Sequence, residues 1–150
     1  MEISRTRAMQ LWAVTMTAED AIFTCAAGDD SEAWSLPRVW PGRGLGLPSA
    51  EVPAFTAAVG EVMKTPLYWR ARFARPERAH AQAWAAPKVD AEDDFTYVSG
   101  PCGRDDQAVG YQPVARVVIA LADLRGLRVR LAAHLHERSR ALALMLPDER

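Results

Sequence analysis

Apolar and polar residues alternate along the first half of the chain with the period of two that is typical of β-strands. The clearest case is residues 21–27, where Phe23, Cys25 and Ala27 share one face. A Pro-Gly-Arg-Gly sequence at 41–44 predicts a turn. Four strands are therefore predicted before the first helix, over residues 10–16, 21–27, 33–40 and 45–47.

The pattern then changes to a helical period. Apolar residues at spacings of three and four predict one buried stripe, formed by Val52, Phe55, Val59 and Val62. Ser49 is the predicted N-cap, and the helix is expected to run to about Lys64. Pro53 lies near the first turn, where proline is tolerated, and Pro66 predicts the end of the helix.

The second half repeats the order of strands followed by a helix. Strands are predicted at 68–75, 79–85, 95–98 and 114–121, and connections without regular structure at 87–94 and 100–110. A leucine stripe predicts a helix from about Asp123 to Met145, with a break near 137–139 as an open alternative. The expected fold class is α+β, with two ββββα halves (8–65 and 66–147) packed as one domain as the repeat hypothesis.

Composition restricts the function classes. The chain has 150 residues, 49% hydrophobic and 25% charged, which fits one globular domain. A net charge of −1 excludes the overall basicity of a strong nonspecific DNA binder, so nucleic-acid binding requires a local basic surface. Lysine is rare among the 18 basic residues, which indicates a high-GC bacterial or phage source. Two separated cysteines and no long apolar segment predict a reduced, cytoplasmic protein without a membrane span.

Tryptophan and arginine side chains mark two candidate binding strands. In an extended 33–40 segment, Trp34, Leu36, Arg38 and Trp40 share a face that suits base stacking and phosphate contact. The alternative is a half-buried strand with both indoles in the core. In an extended 68–75 segment, the outward face carries Tyr68, Arg70 and Arg72. The alternative there is an ordinary amphipathic strand with solvated arginines.

One segment also carries a resemblance to a known family. Residues 38–40, the turn Pro41-Gly42-Arg43-Gly44, the short strand 45–49 and the helix start at 51–55 resemble the recurring segment of PC4-type transcriptional coactivator domains. These are whirly-like single-stranded DNA binders. The resemblance implies a curved antiparallel sheet with DNA on its concave face. It also implies a helix that mediates dimerisation or packs on its own repeat, and it places Arg43 at the family's basic position.

Catalytic and metal signatures are weak. His134 and His136 are two residues apart, so a helix places them on different faces. Cys102 lies in a glycine-flanked loop without a base close in sequence. The acidic pairs in 93–94 and 105–106 lack the spacing of a calcium loop, and solvation is the simpler explanation for them. We therefore expect no catalytic residues, no metal and no cofactor.

The sequence thus favours a non-catalytic protein that binds single-stranded DNA or RNA. The expected context is a bacterial or phage accessory factor of transcription or replication, with a homodimer as a further expectation. The predicted nucleic-acid-binding residues are Arg38, Trp40, Arg43, Tyr68, Arg70 and Arg72. The alternative is a protein–protein adaptor or inhibitor of phage or plasmid type that acts on a host complex. Near-zero net charge and five tryptophans motivate that alternative.

Overall fold

The computed structural model describes residues 12–27, 36–40, 44–74, 84–90, 94–109 and 112–145. Eight strands and three α-helices lie within these residues. The strands are β1 (Ala13–Met16), β2 (Asp20–Ala26), β3 (Arg38–Trp40), β4 (Gly44–Pro48), β5 (Lys88–Asp90), β6 (Phe95–Val98), β7 (Gly103–Val109) and β8 (Gln112–Ala120). The helices are α1 (Val52–Val62), α2 (Pro66–Ala74) and α3 (Leu124–Met145), with 3-10 turns at Ser49–Glu51 and Leu121–Asp123 before α1 and α3.

The strands form two four-stranded antiparallel sheets, which confirms the α+β class. Sheet one has the order β1-β2-β8-β7, and sheet two has the order β3-β4-β6-β5. Each sheet therefore takes two strands from each half of the chain. The first two strands form a hairpin, and Thr17 N–H donates to the Asp20 carbonyl oxygen across its turn at 2.9 Å.

The strand order is symmetric under exchange of the two halves. The exchange of β1 with β5, β2 with β6, β3 with β7 and β4 with β8 turns the strand order of sheet one into that of sheet two, read from its other edge. Both halves also end in a 3-10 turn followed directly by a helix. The edge strands β3 and β7 contact each other, as do helices α1 and α3. The topology thus has a pseudo-twofold symmetry, while an origin by sequence repeat stays a prediction.

The core lies between the sheets and the helices. One face of sheet two contributes Leu45, Leu47 and Val98, and one face of sheet one contributes Phe23 and Ile119, all of them buried. The predicted α1 stripe, Val52, Phe55, Val59 and Val62, is buried against them. The ring of Phe55 contacts those of Trp12 and Phe23 at centroid distances of 5.0 and 4.9 Å. Apolar area removed from water supplies the main stabilising term.

The entry into α1 differs from the predicted cap. Ser49 is the first residue of the 3-10 turn, and no side-chain hydrogen bond caps that turn. Its hydroxyl instead forms a buried hydrogen bond of 2.9 Å with the Thr96 hydroxyl of β6. The prediction of Ser49 as N-cap was therefore wrong, because the nearby strand offers this side chain a partner across the sheet.

Residues 66–74 form a helix, so the strand predicted over 68–75 was wrong. Thr65 is at the N-cap position, and its hydroxyl accepts a bond from Tyr68 N–H at 3.3 Å. Pro66 occupies the first helical position, where its fixed φ and missing N–H are favourable. The side chain of Tyr68 is buried, while Leu67 and Ala71 pack against the core. Of the strand predicted over 79–85, residues 79–83 lie outside the described part of the chain.

Two segments predicted to lack regular structure contain strands. Within 87–94, β5 pairs with β6, and within 100–110, β7 pairs with β8 along its whole length. Both are edge strands, which often carry charged residues and so lack a hydrophobic alternation. The third strand is shorter than predicted, since β3 begins at Arg38. Residues 33–35 lie outside the described part of the chain.

Helix α3 is unbroken, so the alternative of an interruption near 137–139 was wrong. Its first turns are anchored by Leu124, Leu127 and Leu131, which are fully buried. From 136 to 145 every residue is exposed, including Leu142 and Met145. Among the described residues, no helix has both the length and the apolar character that a bilayer crossing needs.

Candidate nucleic-acid interface

Arg38 opens strand β3 on the face of sheet two that points away from the core. Its neighbour Val39 packs against the core cluster, so the alternation of strand side chains places Arg38 on the other side. The Arg38 guanidinium carbon lies 4.3 Å from the centroid of the Phe95 ring. This contact is a cation–π interaction, and it holds the guanidinium across the surface of the sheet.

Phe95 is buried although it is not part of either described core cluster. Its ring is near-parallel to that of Tyr97, with a centroid distance of 6.0 Å and an interplanar angle of 29°. Arg38 and Tyr97 therefore contribute to shielding Phe95 on the outer face of the sheet. The result is a small aromatic layer on the side opposite to the helices.

Tyr97 packs over the backbone of β4 because the residue beside it there has no side chain. Tyr97 pairs with Gly46, and a Cβ atom built on Gly46 would lie 2.6 Å from Cε1 and 2.9 Å from Cδ1 of the tyrosine ring. The ring thus occupies the space above the glycine backbone. It is half-buried in this position, so part of the ring surface remains accessible. An accessible aromatic ring on the surface of a sheet is the kind of group on which nucleobases stack.

Lys88 completes a row across the four strands. In the register, Arg38 pairs with Gly46, Gly46 with Tyr97, and Tyr97 with Lys88. Lys88 is exposed on the edge strand β5, and Arg38 is half-buried on the opposite edge strand β3. We call Arg38, Phe95, Tyr97 and Lys88 the aromatic platform. It has two aromatic rings between two cations.

The predicted site residues are only partly brought together. Arg38 lies on the aromatic platform, and Trp40 ends β3 with its backbone paired to Gly44. Arg43 and Trp34 lie outside the described residues. Leu36, predicted to share the Arg38 surface, is buried in a small cluster with Cys25 and Ala115.

Tyr68, Arg70 and Arg72 do not form the predicted surface. Helix α2 separates Arg70 and Arg72 by about 200° around its axis, whereas a strand would have placed them on one face. Tyr68 is only 2% exposed, so its ring is not available to a base. Arg72 lies over the ring of Trp69, with 5.2 Å between guanidinium carbon and ring centroid. The shared-face prediction was wrong because it assumed an extended backbone.

Three platform residues were missed: Lys88, Phe95 and Tyr97. The strand at 95–98 was predicted, and its alternation already placed Phe95 and Tyr97 on one face. The pairing of β6 with β4 puts these rings beside Arg38, and local sequence patterns carry no information about that pairing. Gly46 was a usable signal, because a glycine inside a strand often marks a close approach by another group.

Both cysteine thiols are free, and their partial or complete burial changes their acidity. Burial, with a smaller contribution from the nearby Glu51 carboxylate, raises the pKa of the Cys25 thiol to about 12. Burial also raises the pKa of Cys102 to about 11. Both thiols are therefore protonated near neutral pH, which disfavours a nucleophilic role. In the part of the chain that the structure describes, no three metal-ligating side chains form a cluster.

Comparisons with known proteins give no relative for this chain. No protein family, no curated protein and no solved structure shows a significant match.

Proposed function

We propose that this protein binds single-stranded DNA or RNA on the aromatic platform of sheet two. The observation that supports the proposal is the row formed by Arg38, Gly46, Tyr97 and Lys88. It combines an accessible ring lying on the sheet with a cation on each side. Nucleobases stack on such rings without sequence preference, and arginine and lysine contact the backbone phosphates.

The role is non-catalytic, and binding is the whole activity. Stacking of one base contributes about 1–3 kcal/mol, and each neutralised phosphate adds a counterion-release term. Asp90 lies two residues after Lys88 on β5 and reduces the local positive charge. An accessory factor that holds unpaired strands during transcription or replication fits this modest, sequence-tolerant affinity.

The salt dependence follows from the number of cations. Two phosphate contacts, one to Arg38 and one to Lys88, predict a slope of about −1.4 for log K against log salt concentration on a single strand. Between about 50 and 200 mM salt, affinity should therefore fall roughly 7-fold. A protein that used the full set of basic residues would show a much steeper slope.

Matched substitutions test the location of the site. Tyr97→Ala, Arg38→Ala and Lys88→Gln should each weaken binding of a fluorescently labelled single-stranded oligonucleotide, measured by anisotropy. Tyr97→Phe should retain most of the affinity because stacking needs only the ring. Lys64→Gln and Arg70→Ala are the controls, since both side chains are exposed, Lys64 in the turn after α1 and Arg70 in α2, and neither belongs to the platform. Equal losses in platform and control variants would contradict the assignment.

A protein–protein adaptor or inhibitor is the second candidate function. The observation that favours it is the exposed end of α3, where Leu142, Leu144 and Met145 are 55%, 83% and 79% exposed. Large apolar side chains at a protruding helix end are typical of docking elements. Protein capture from a nuclease-treated bacterial lysate that is lost in Leu142→Glu, together with no oligonucleotide binding, would favour this function over the first.

A further inference from the structure

We call the row of Arg38, Gly46, Tyr97 and Lys88 the platform row. Because of the pseudo-twofold symmetry, this row has a structural equivalent in sheet one. Gly46 and Val118 each lie three residues before their 3-10 turn, on strands β4 and β8. The row through Gly46 runs from β3 to β5 through Arg38, Tyr97 and Lys88. The row through Val118 contains Gly103, Ile22 and Thr15, on the equivalent strands β7, β2 and β1.

The two rows differ in every property that single-strand binding uses. In sheet one, Tyr97 is replaced by Ile22, and the cations Arg38 and Lys88 are replaced by Gly103 and Thr15. Ile22 and Val118 are half-buried and Thr15 is exposed, so this row has accessible surface without a ring or a charge. It therefore offers neither base stacking nor phosphate neutralisation.

The adjacent row of sheet one does not restore these properties. It contains Arg116 beside Thr24 and Ala13, again without an aromatic side chain. Arg116 is half-buried, as Arg38 is, and its partners in the register are Asp105 on β7 and Thr24 on β2, so its row holds no second cation. A single arginine without a neighbouring ring provides less than the two cations and the ring of the aromatic platform.

We propose that the chain is functionally one-sided: each copy binds a single short unpaired segment, on sheet two only, despite its two-sheet symmetry. The platform row crosses three strand spacings of about 4.8 Å, so it spans about 14 Å. At the rise of about 3.4 Å per nucleotide of a stacked strand, this length holds about four nucleotides, which is the lower end of known site sizes. The ligand class is thus a short single-stranded stretch, and this inference rests on the proposed function.

The test is the stoichiometry of binding with a short oligonucleotide. The full chain, at a concentration well above Kd, is titrated with an oligothymidylate of about six nucleotides and followed by calorimetry and native mass spectrometry. We expect one oligonucleotide per chain. Two per chain would contradict the one-sided arrangement while leaving single-strand binding intact.

Substitutions at equivalent positions of the two rows provide a second test. Tyr97→Ala should lower affinity by at least about 5-fold, the lower limit for one stacked base. Ile22→Ala, at the equivalent position of sheet one, should change it by less than 2-fold. Circular dichroism and thermal melting confirm that each variant is folded. Equal losses in the two variants would overturn the inference, whereas no binding by the unaltered chain would contradict the proposed function itself.

Discussion

Replacing Gly46 with alanine should weaken oligonucleotide binding while the protein remains folded. The added Cβ would lie 2.6 Å from Cε1 of Tyr97, and ordinary carbon–carbon contact begins near 3.5 Å. The ring must therefore retreat by about 1 Å or rotate away from the sheet. Because Tyr97 is half-buried and its ring is the far end of a flexible side chain, this movement does not require the backbone of the sheet to shift.

The expected magnitudes follow from the same geometry. Complete loss of one stacked base costs about 1–3 kcal/mol, a factor of roughly 5 to 150 in Kd, so Gly46→Ala should fall within or below that range. The free energy of unfolding should fall by no more than about 2.5 kcal/mol, which is less than the stability of a typical domain. An alanine in a strand gains about 0.5–1 kcal/mol over glycine, and this offsets part of the crowding cost of about 1–3 kcal/mol.

A double-mutant cycle shows whether Gly46 affects binding through the Tyr97 ring or independently of it. Kd for a labelled oligonucleotide is measured by anisotropy for the unaltered chain, Gly46→Ala, Tyr97→Ala and the double variant. If Gly46 acts by seating the tyrosine ring, the glycine substitution has little further effect once the ring is removed, and the coupling energy is about 0.5–3 kcal/mol. Additive effects would refute this reasoning, because they would show that Gly46 acts independently of Tyr97.

Three further predictions concern the fold. Gly60→Ala in α1 should raise the free energy of unfolding by about 0.5–1 kcal/mol, since the nearest side-chain atom to the new Cβ is the flexible Arg128 Nε at 3.3 Å. Gly100→Ala should lower the melting temperature, because its Cβ would meet the fully buried indole of Trp84. Cys25 should resist alkylation near pH 8 until unfolding. Its raised pKa predicts stability that is complete below about pH 9 and declines as pH rises towards 12. An unchanged melting temperature in either glycine variant, or fast native-state alkylation, would contradict these expectations.

The sequence predicted a helix or strand correctly where the spacing of its apolar residues matched the face that the fold buries. The stripe from Val52 to Val62 and the β-branched run at 114–121 predicted α1 and β8, because each buries one continuous face. The α2 segment shows the opposite case. Its alternating Tyr68, Arg70 and Arg72 suggested a strand, although Thr65-Pro66 is also a helix-start signal, with threonine as N-cap and proline at the first position.

The candidate site could be predicted only in part because it depends on long-range pairing. Arg38 and Phe95 are far apart in sequence and meet only after β3 and β6 both pair with β4. The polar strand β7 was missed for a related reason. Its backbone hydrogen bonds to β8 hold it in the sheet, and its side chains show no hydrophobic pattern that would predict a strand. Local propensity carries little information about such tertiary partners.

The most direct test of single-strand binding is a titration of the folded chain with an oligonucleotide at two salt concentrations. Anisotropy of a labelled single strand should saturate, and raising the salt from about 50 to 200 mM should weaken binding roughly 7-fold. In Tyr97→Ala the same titration should show at least a 5-fold higher Kd, about the lower limit for one stacked base. No saturable binding by the folded protein, or binding that is unchanged in Tyr97→Ala, would contradict the proposed function of the aromatic platform.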